Sequence, residues 1–307
     1  MNPVQGAISQ AFKPEYVNPE LVALNIKDFL TLKIPPQENI LTPIIKTQSL
    51  SMMFAKRGVG KTHVALGMAY AIASGGKFLK WEAPKPRRVL YLDGEMPACT
   101  MQERLAQIIR DNDAEAAPEN FKILTPDLQK MGMPDISTSE GQQELEPLIQ
   151  DAELIFVDNL STLARTGKEN EAESWLPVQG WGLDMRSRGK SVMFVHHAGK
   201  SGLQRGSSRR EDVLDTVIEL RHPVDYRSDE GARFEVHFTK ARHLKGQDAI
   251  PFEAKLLSGG WSLMNIDDAE IKKVLELQAE GLSYRDIADE TGISKSRVQR
   301  MIRNHDV

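Results

Sequence analysis

The stretch AKRGVGKT (residues 55–62) sets two glycines before a Lys61–Thr62 pair, between an apolar run and the start of an apolar helix. An ammonium, a hydroxyl and unhindered backbone N–H groups at a helix start suit a chain of phosphates. Lys56, Arg57, Gly58, Val59, Gly60, Lys61, Thr62 and His63 are therefore the expected nucleotide cradle. Lys61 would neutralise the β/γ oxygens of ATP, and the Thr62 hydroxyl would reach Mg²⁺. Ala55 stands where the phosphate-loop pattern has its first glycine. A methyl group is tolerable there provided φ stays negative.

Hydrolysis also needs acids. LIFVDN (154–159) ends an apolar run with Asp158, placed to hold the metal through water. VLYLDGEM (89–96) offers a carboxylate to orient or deprotonate water, Glu95 in preference to Asp93. The alternative for both is an acid that merely favours the positive end of the next helix. In RFEVHFTKAR (233–242), residues two apart share a face of a strand, so Phe234, Val236 and Phe238 are continued by Lys240 and Arg242. A row that turns from apolar to doubly basic suggests two cations delivered to one anion; a solvated strand end is the other reading.

These groups need a scaffold, and the pattern supplies one. From residue 49 apolar runs alternate with helical ones: SLSMMFA, a helix closed by Gly75–Gly76, RRVLYLDGE, a helix through Met101, Leu105, Ile108 and Ile109, then FKILTP. A capping-box spacing from Ser139 to Gln142 opens the next helix, before AELIFVDN. A partly helical stretch that Pro177 must interrupt then leads to KSVMFVHH. Near-continuous apolar strands alternating with helices mean a mostly parallel sheet covered on both faces. After residue 212 strands alone follow (DTVIELRH, RFEVHFTKAR, AIPFEAKLLS), an antiparallel extension at one edge. The expected domains are a proline-rich leader over 1–48 containing one short helix in PELVALNIKDFL, an α/β domain over 49–264, and a small helical tail over 265–307. The leader would pack over the core or against a neighbouring subunit.

The motifs AKRGVGKT, YLDGE, LIFVDN, FVHHAGKSG, RGSSRREDVLDTVIEL and FTKAR occur in the order seen in RecA-like ATPases. Over about residues 50–260 the chain resembles the RepA-type hexameric replicative helicases of plasmids and, more distantly, DnaB-type helicases. The resemblance implies a RecA-like P-loop core in which Glu95 is the catalytic glutamate and His197, or its neighbour His196, the sensor. It further implies that Lys240 and Arg242 reach the γ-phosphate of the adjacent subunit, Arg242 as arginine finger, within a ring that is most simply a hexamer.

Two segments read as DNA contacts. HAGKSGLQRGSSRR (197–210) is rich in glycine and serine, carries Lys200, Arg205 and Arg209, and holds no acid. It suits the phosphates of a single strand, and in RecA-like rings the corresponding loop faces the central channel. The tail reads as a helix-turn-helix: Ser283 caps a second helix, Gly292 makes the turn, and Ser294 caps a third that buries Val298, Met301 and Ile302. Residues 283–303 would then meet duplex DNA, with Lys295, Ser296, Arg297 and Arg300 at the major groove. Such three-helix units also serve as protein-docking modules.

The bulk properties limit the alternatives. With a net charge of −4 over 307 residues, any nucleic-acid contact must come from local patches. One cysteine, Cys99, excludes an intrachain disulfide and a cysteine zinc site and fits a reducing cytoplasm. The start has no signal-peptide pattern, and VALGMAYAIA (64–73) is too short for the ~20 apolar residues of a membrane span. The leading expectation is an ATP-driven DNA helicase or translocase of a plasmid or mobile element. The alternatives are an ATP-switched DNA-binding regulator or loader, and a filament-forming strand-exchange accessory protein.

Overall fold

The computed structural model describes residues 22–166, 172–199, 211–258 and 260–305. A short helix α1 (Ile26–Thr31) and a hairpin of β1 (Asn39–Leu41) and β2 (Ile45–Lys46) lead into β3 (Leu50–Ala55) and helix α2 (Lys61–Ser74). A second small hairpin, β4 (Lys77–Phe78) and β5 (Trp81–Glu82), precedes β6 (Val89–Asp93), α3 (Ala98–Arg110), β7 (Phe121–Leu124) and α4 (Ser139–Ile149). Next come β8 (Leu154–Asp158), the single turn α5 (Leu160–Leu163), α6 (Ala172–Ser187) and β9 (Ser191–His197). Four strands follow: β10 (Thr216–Arg221), β11 (Arg233–Ala241), β12 (Phe252–Leu257) and β13 (Gly260–Asn265). Helices α7 (Ile266–Ala279), α8 (Tyr284–Thr291) and α9 (Lys295–His305) end the chain.

Nine strands form one sheet in the order β13-β12-β11-β10-β3-β9-β8-β6-β7. Strands β10, β3, β9, β8, β6 and β7 are parallel to one another, and β11 to β13 add antiparallel pairings at one edge. The expected α/β class, parallel core and antiparallel extension are all present. Alternation explains how each strand serves two cores. In β3, Met53 and Ala55 join the cluster beneath α2, while Leu50, Met52 and Phe54 join the cluster beneath α4, α5 and α6.

Several local readings are corrected. Pro177 does not interrupt its helix: α6 runs continuously through it. Proline removes one N–H bond early in the helix, and the buried row of Trp175, Val178, Trp181 and Met185 holds the helix together. The cap of α4 is Thr138, one residue before the expected Ser139, and its side chain accepts from the Gly141 N–H. Ile109 faces solvent, whereas Met101 and Ile108 of the same helix are buried. The segment before residue 49 is partly core, because Ile40, Leu41, Ile44 and Ile45 are fully buried against α2 and the sheet. Strand β13 was not anticipated. Its Trp261 packs edge-on against Phe78 and Phe234 and lies 5.6 Å from the His63 ring.

The three terminal helices share a small core of Val274, Leu277, Ile287, Ile293, Val298, Met301 and Ile302. A capping box of Ser283 and Asp286 starts α8, and Gly292 closes it in the left-handed conformation. Helix α7 begins at Ile266, the residue after β13 ends, and the loop joining β10 to β11 also touches the tail. A side chain at Gly292 would lie 3.1 Å from Val224, and Arg227 approaches Glu290 at 4.0 Å. Among the described residues, no helix is long and apolar enough to cross a membrane.

Arg87 ties the early segment to the sheet. It is only 5 % exposed, donates to Glu153 at 2.9 Å and bonds Glu38 on the other side. Arg87→Ala is expected to lower stability by about 1–3 kcal/mol, through two lost charge-assisted bonds and lost packing. A shift of the urea midpoint without a change in slope would show it.

Candidate functional site

Four parallel strands, β3, β6, β8 and β9, deliver their carboxyl ends to one cleft, the usual place for a ligand in an open α/β sheet. The cleft has a volume of about 460 Å³ and is lined by Arg57, Gly58, Gly60, Lys61, Thr62, Asp93, Glu95, Arg104, Asp158, Asn159 and His197, among others.

The phosphate-loop reading acquires a geometry. Gly58 and Gly60 have φ of 85° and 107°, which L side chains rarely adopt. A Cβ on either would meet nothing within 4 Å, so the space above the loop is open. Ala55 lies inside β3 and its side chain is buried in the core, which accounts for a small residue in place of the first glycine. Lys61 is nearly buried and donates to the Lys56 carbonyl at 3.3 Å. Val59 points into the core, and His63 turns away toward Trp261, so neither side chain faces the cleft. Backbone donors, a buried ammonium and facing acids make up the donor set that a nucleotide triphosphate and its magnesium need.

The acids are not equivalent. Asp158 is buried at the end of β8 and accepts from the Tyr91 hydroxyl at 2.7 Å. Burial raises its pKa, while Tyr91, Thr62 and Lys61 oppose the rise. Burial likewise lowers the pKa of Lys61, against the pull of Asp158 and Glu95. Asp93 accepts from the backbone N–H of Glu95 at 3.3 Å and of Met96 at 3.2 Å, and from Thr125 at 3.3 Å. It holds the turn. Glu95 projects from that turn, accepts from Asn159 Nδ2 at 2.5 Å and lies 3.6 Å from His197 Nε2. Burial, then the charge of Lys61, lowers the His197 pKa, which favours neutral imidazole. Gly94 is required by close approach: a Cβ there would fall 2.2 Å from Thr162 Oγ1 in α5.

Lys240 and Arg242 are not in this cleft. Strand β11 pairs Ala241 with Thr216 at the start of β10, and Thr216 pairs with Ser51 at the start of β3. The phosphate loop leaves the other end of β3, after Ala55, which pairs with Leu220. A bulge also breaks the expected alternation, since Ile218 faces Phe238 but Val217 faces Lys240. Lys200, Arg205 and Arg209 lie outside the described residues. In the tail, Lys295, Ser296 and Arg300 are exposed, but Arg297 is paired to Asp267 at 2.8 Å and Glu270 at 2.5 Å.

Arg104, Thr100 and Asn159 line the cleft without having been singled out. Thr100 and Arg104 are four apart on α3, a spacing that gives both one helix face and could have marked them. Asn159 stood within the quoted LIFVDN.

Asp93 gives a pH dependence of stability. Burial raises its pKa to about 6, above the unfolded value of 3.8. Its favourable contribution is therefore complete below 3.8 and is lost as pH rises through about 6. Asp93→Asn, which keeps an acceptor for the turn, is expected to gain stability relative to wild type between pH 4 and 8, by up to ~3 kcal/mol. Denaturant titrations at the two pH values would measure the difference.

A solved structure shares this architecture. A KaiC-like protein, PH0186, from the hyperthermophilic archaeon Pyrococcus horikoshii OT3 matches at a TM-score of 0.51 and 12 % identity, covering 73 % of this chain and 93 % of its own. The flagellar accessory protein FlaH from Methanocaldococcus jannaschii matches at 0.47 and 10 % identity, covering 71 % and 89 %. The AAA domain family (AAA_25) matches residues 17–202, which contain the phosphate loop, both acid-bearing strands and the His197 strand. With its RecA-like sheet and phosphate loop, the chain belongs to this AAA domain family of P-loop ATPases.

Proposed function

We propose that this protein is an ATP-hydrolysing DNA helicase or translocase of a plasmid or mobile element, which works as a ring and is recruited to DNA by its terminal helices. The observation that carries the reading is the separation of Lys240 and Arg242 from their own cleft. From Ser51 to Ala55 is four strand steps, ~13 Å at the usual rise, and the phosphates lie beyond that. An arginine at the far end of the sheet cannot serve its own nucleotide. It can serve the nucleotide of a second copy, so the complete site lies between subunits, most simply in a hexamer.

In this reading Lys61 and the loop N–H groups hold the phosphates. Thr62 and Asp158 would hold Mg²⁺, which when bound would supply charge neutralisation for the phosphates. Glu95 orients the attacking water, with Asn159 and His197 fixing its carboxylate. Arg242 and Lys240 of the neighbour stabilise the transition state. The 197–210 segment, with Lys200, Arg205 and Arg209, would follow a single strand. The segment 283–303 would meet duplex through Lys295, Ser296 and Arg300. The protein would act in the cytoplasm. A second reading, an ATP-switched regulator or loader that does not unwind strands, is favoured by the tail alone, since a motor that encircles one strand needs no duplex reader.

ATP hydrolysis measured without DNA, with single strands and with duplex decides between the two. The motor predicts strong stimulation by single strands that survives deletion of residues 265–307. It also predicts a ~10³-fold loss in Arg242→Ala, with activity recovered when that variant is mixed with Glu95→Gln. Stimulation by duplex alone would favour the regulator. Lys295→Ala and Arg300→Ala should each weaken duplex binding and reduce the slope of log affinity against log salt by about 1. Titrations between 50 and 200 mM salt, about the range in which such slopes are steep, would read it.

A further inference from the structure

The two distal cations are both held: they share the Asp212 carbonyl, and each has one further partner of its own. Lys240 Nζ donates to the Glu211 carbonyl and, at 3.4 Å, to the Asp212 carbonyl. Arg242 donates from Nη2 to the Asp212 carbonyl at 2.8 Å and from Nη1 to Asp215 Oδ1 at 3.3 Å. The other carboxylate oxygen of Asp215 accepts from the N–H of Leu50, the first residue of β3, at 3.0 Å.

The strands are also joined here through the backbone. The Asp215 backbone already donates to the Leu50 carbonyl at 2.7 Å and accepts from the Arg242 N–H at 3.0 Å. What the side chain adds is a bridge between the guanidinium and the strand that carries the phosphate loop at its other end. The bridge is single-pronged, and the guanidinium side chain stays half exposed. Of its five N–H donors, most therefore remain available to a second anion. A long flexible arginine loses rotamer freedom when it engages an anion, and one already held loses less.

We propose that Asp215 is a positioning residue for Arg242: it ties the guanidinium to Leu50, so that it is presented, already oriented, to the triphosphate bound by a neighbouring copy. This rests on the reading of Arg242 as acting in trans. Asp215 touches no nucleotide; it acts through Arg242.

Steady-state ATPase measurements on the full chain, alone and in mixtures, test this. Asp215→Ala should lower kcat by about 10- to 100-fold with little change in KM for ATP. Asp215→Asn, which can still accept from Leu50 but carries no charge, should fall between it and wild type. Mixed with Glu95→Gln, Asp215→Ala should recover activity, because an intact Arg242 clamp then faces an intact Glu95. Recovery also requires a folded Asp215→Ala subunit with a working cleft, which a merely structural defect would deny. If Arg242→Ala recovers in the mixture but Asp215→Ala and Asp215→Asn do not, Asp215 serves its own subunit's fold and the positioning role is wrong. If Arg242→Ala does not recover either, the trans reading fails, and the positioning role fails with it.

Discussion

The molecule is organised by the length of β3. This strand is buried on both faces and paired in parallel on both sides, so its two ends cannot move independently. A phosphate loop grows from one end, and the backbone of Asp215 closes on the other. A sheet whose inner strands are fully paired fixes that span more firmly than a helix or loop would. Whatever is attached at the two ends is held apart by a set distance, which makes a single copy insufficient for the proposed chemistry.

Within the cleft, equal numbers of cations and acids face one another, which suits a polyanion and a cation bound together. Lys61, Arg57 and Arg104 face Asp158, Asp93 and Glu95 across the same space. Burial pushes Lys61 and His197 toward their neutral forms and Asp158 and Asp93 toward protonation. For Lys61 and Asp158, the shift opposes the ionised state that phosphate and metal binding would use. A bound nucleotide with its metal would supply counter-charges and reverse these tendencies.

What could be read from the sequence was whatever is local. The phosphate loop, Asp158 and Glu95 sit within a few residues of strand ends, and the period-two and helical patterns place such ends well. The tail was equally legible, because its caps at Ser283 and Gly292 and its apolar spacing lie within 25 residues of one another. Long-range facts were not. The bulge in β11 has no signature in its own strand, yet it breaks the row that was to run from Phe238 on to Lys240 and Arg242. The hairpin of β1 and β2 is too short to show alternation, and only burial against α2 reveals it as core. Arg297 was read as exposed with its basic neighbours because nothing in α9 itself announces Asp267 and Glu270, some thirty residues earlier.

The join between β13 and α7 has no intervening loop: one residue ends the strand and the next begins the helix. Asn265 is still paired with Phe252 across the sheet when the helix starts. The terminal helices are thus mounted on the sheet edge as a bracket is mounted on a wall, without a hinge. Any cargo they grip would inherit the orientation of the ATPase sheet, and turning that cargo would mean turning the whole subunit.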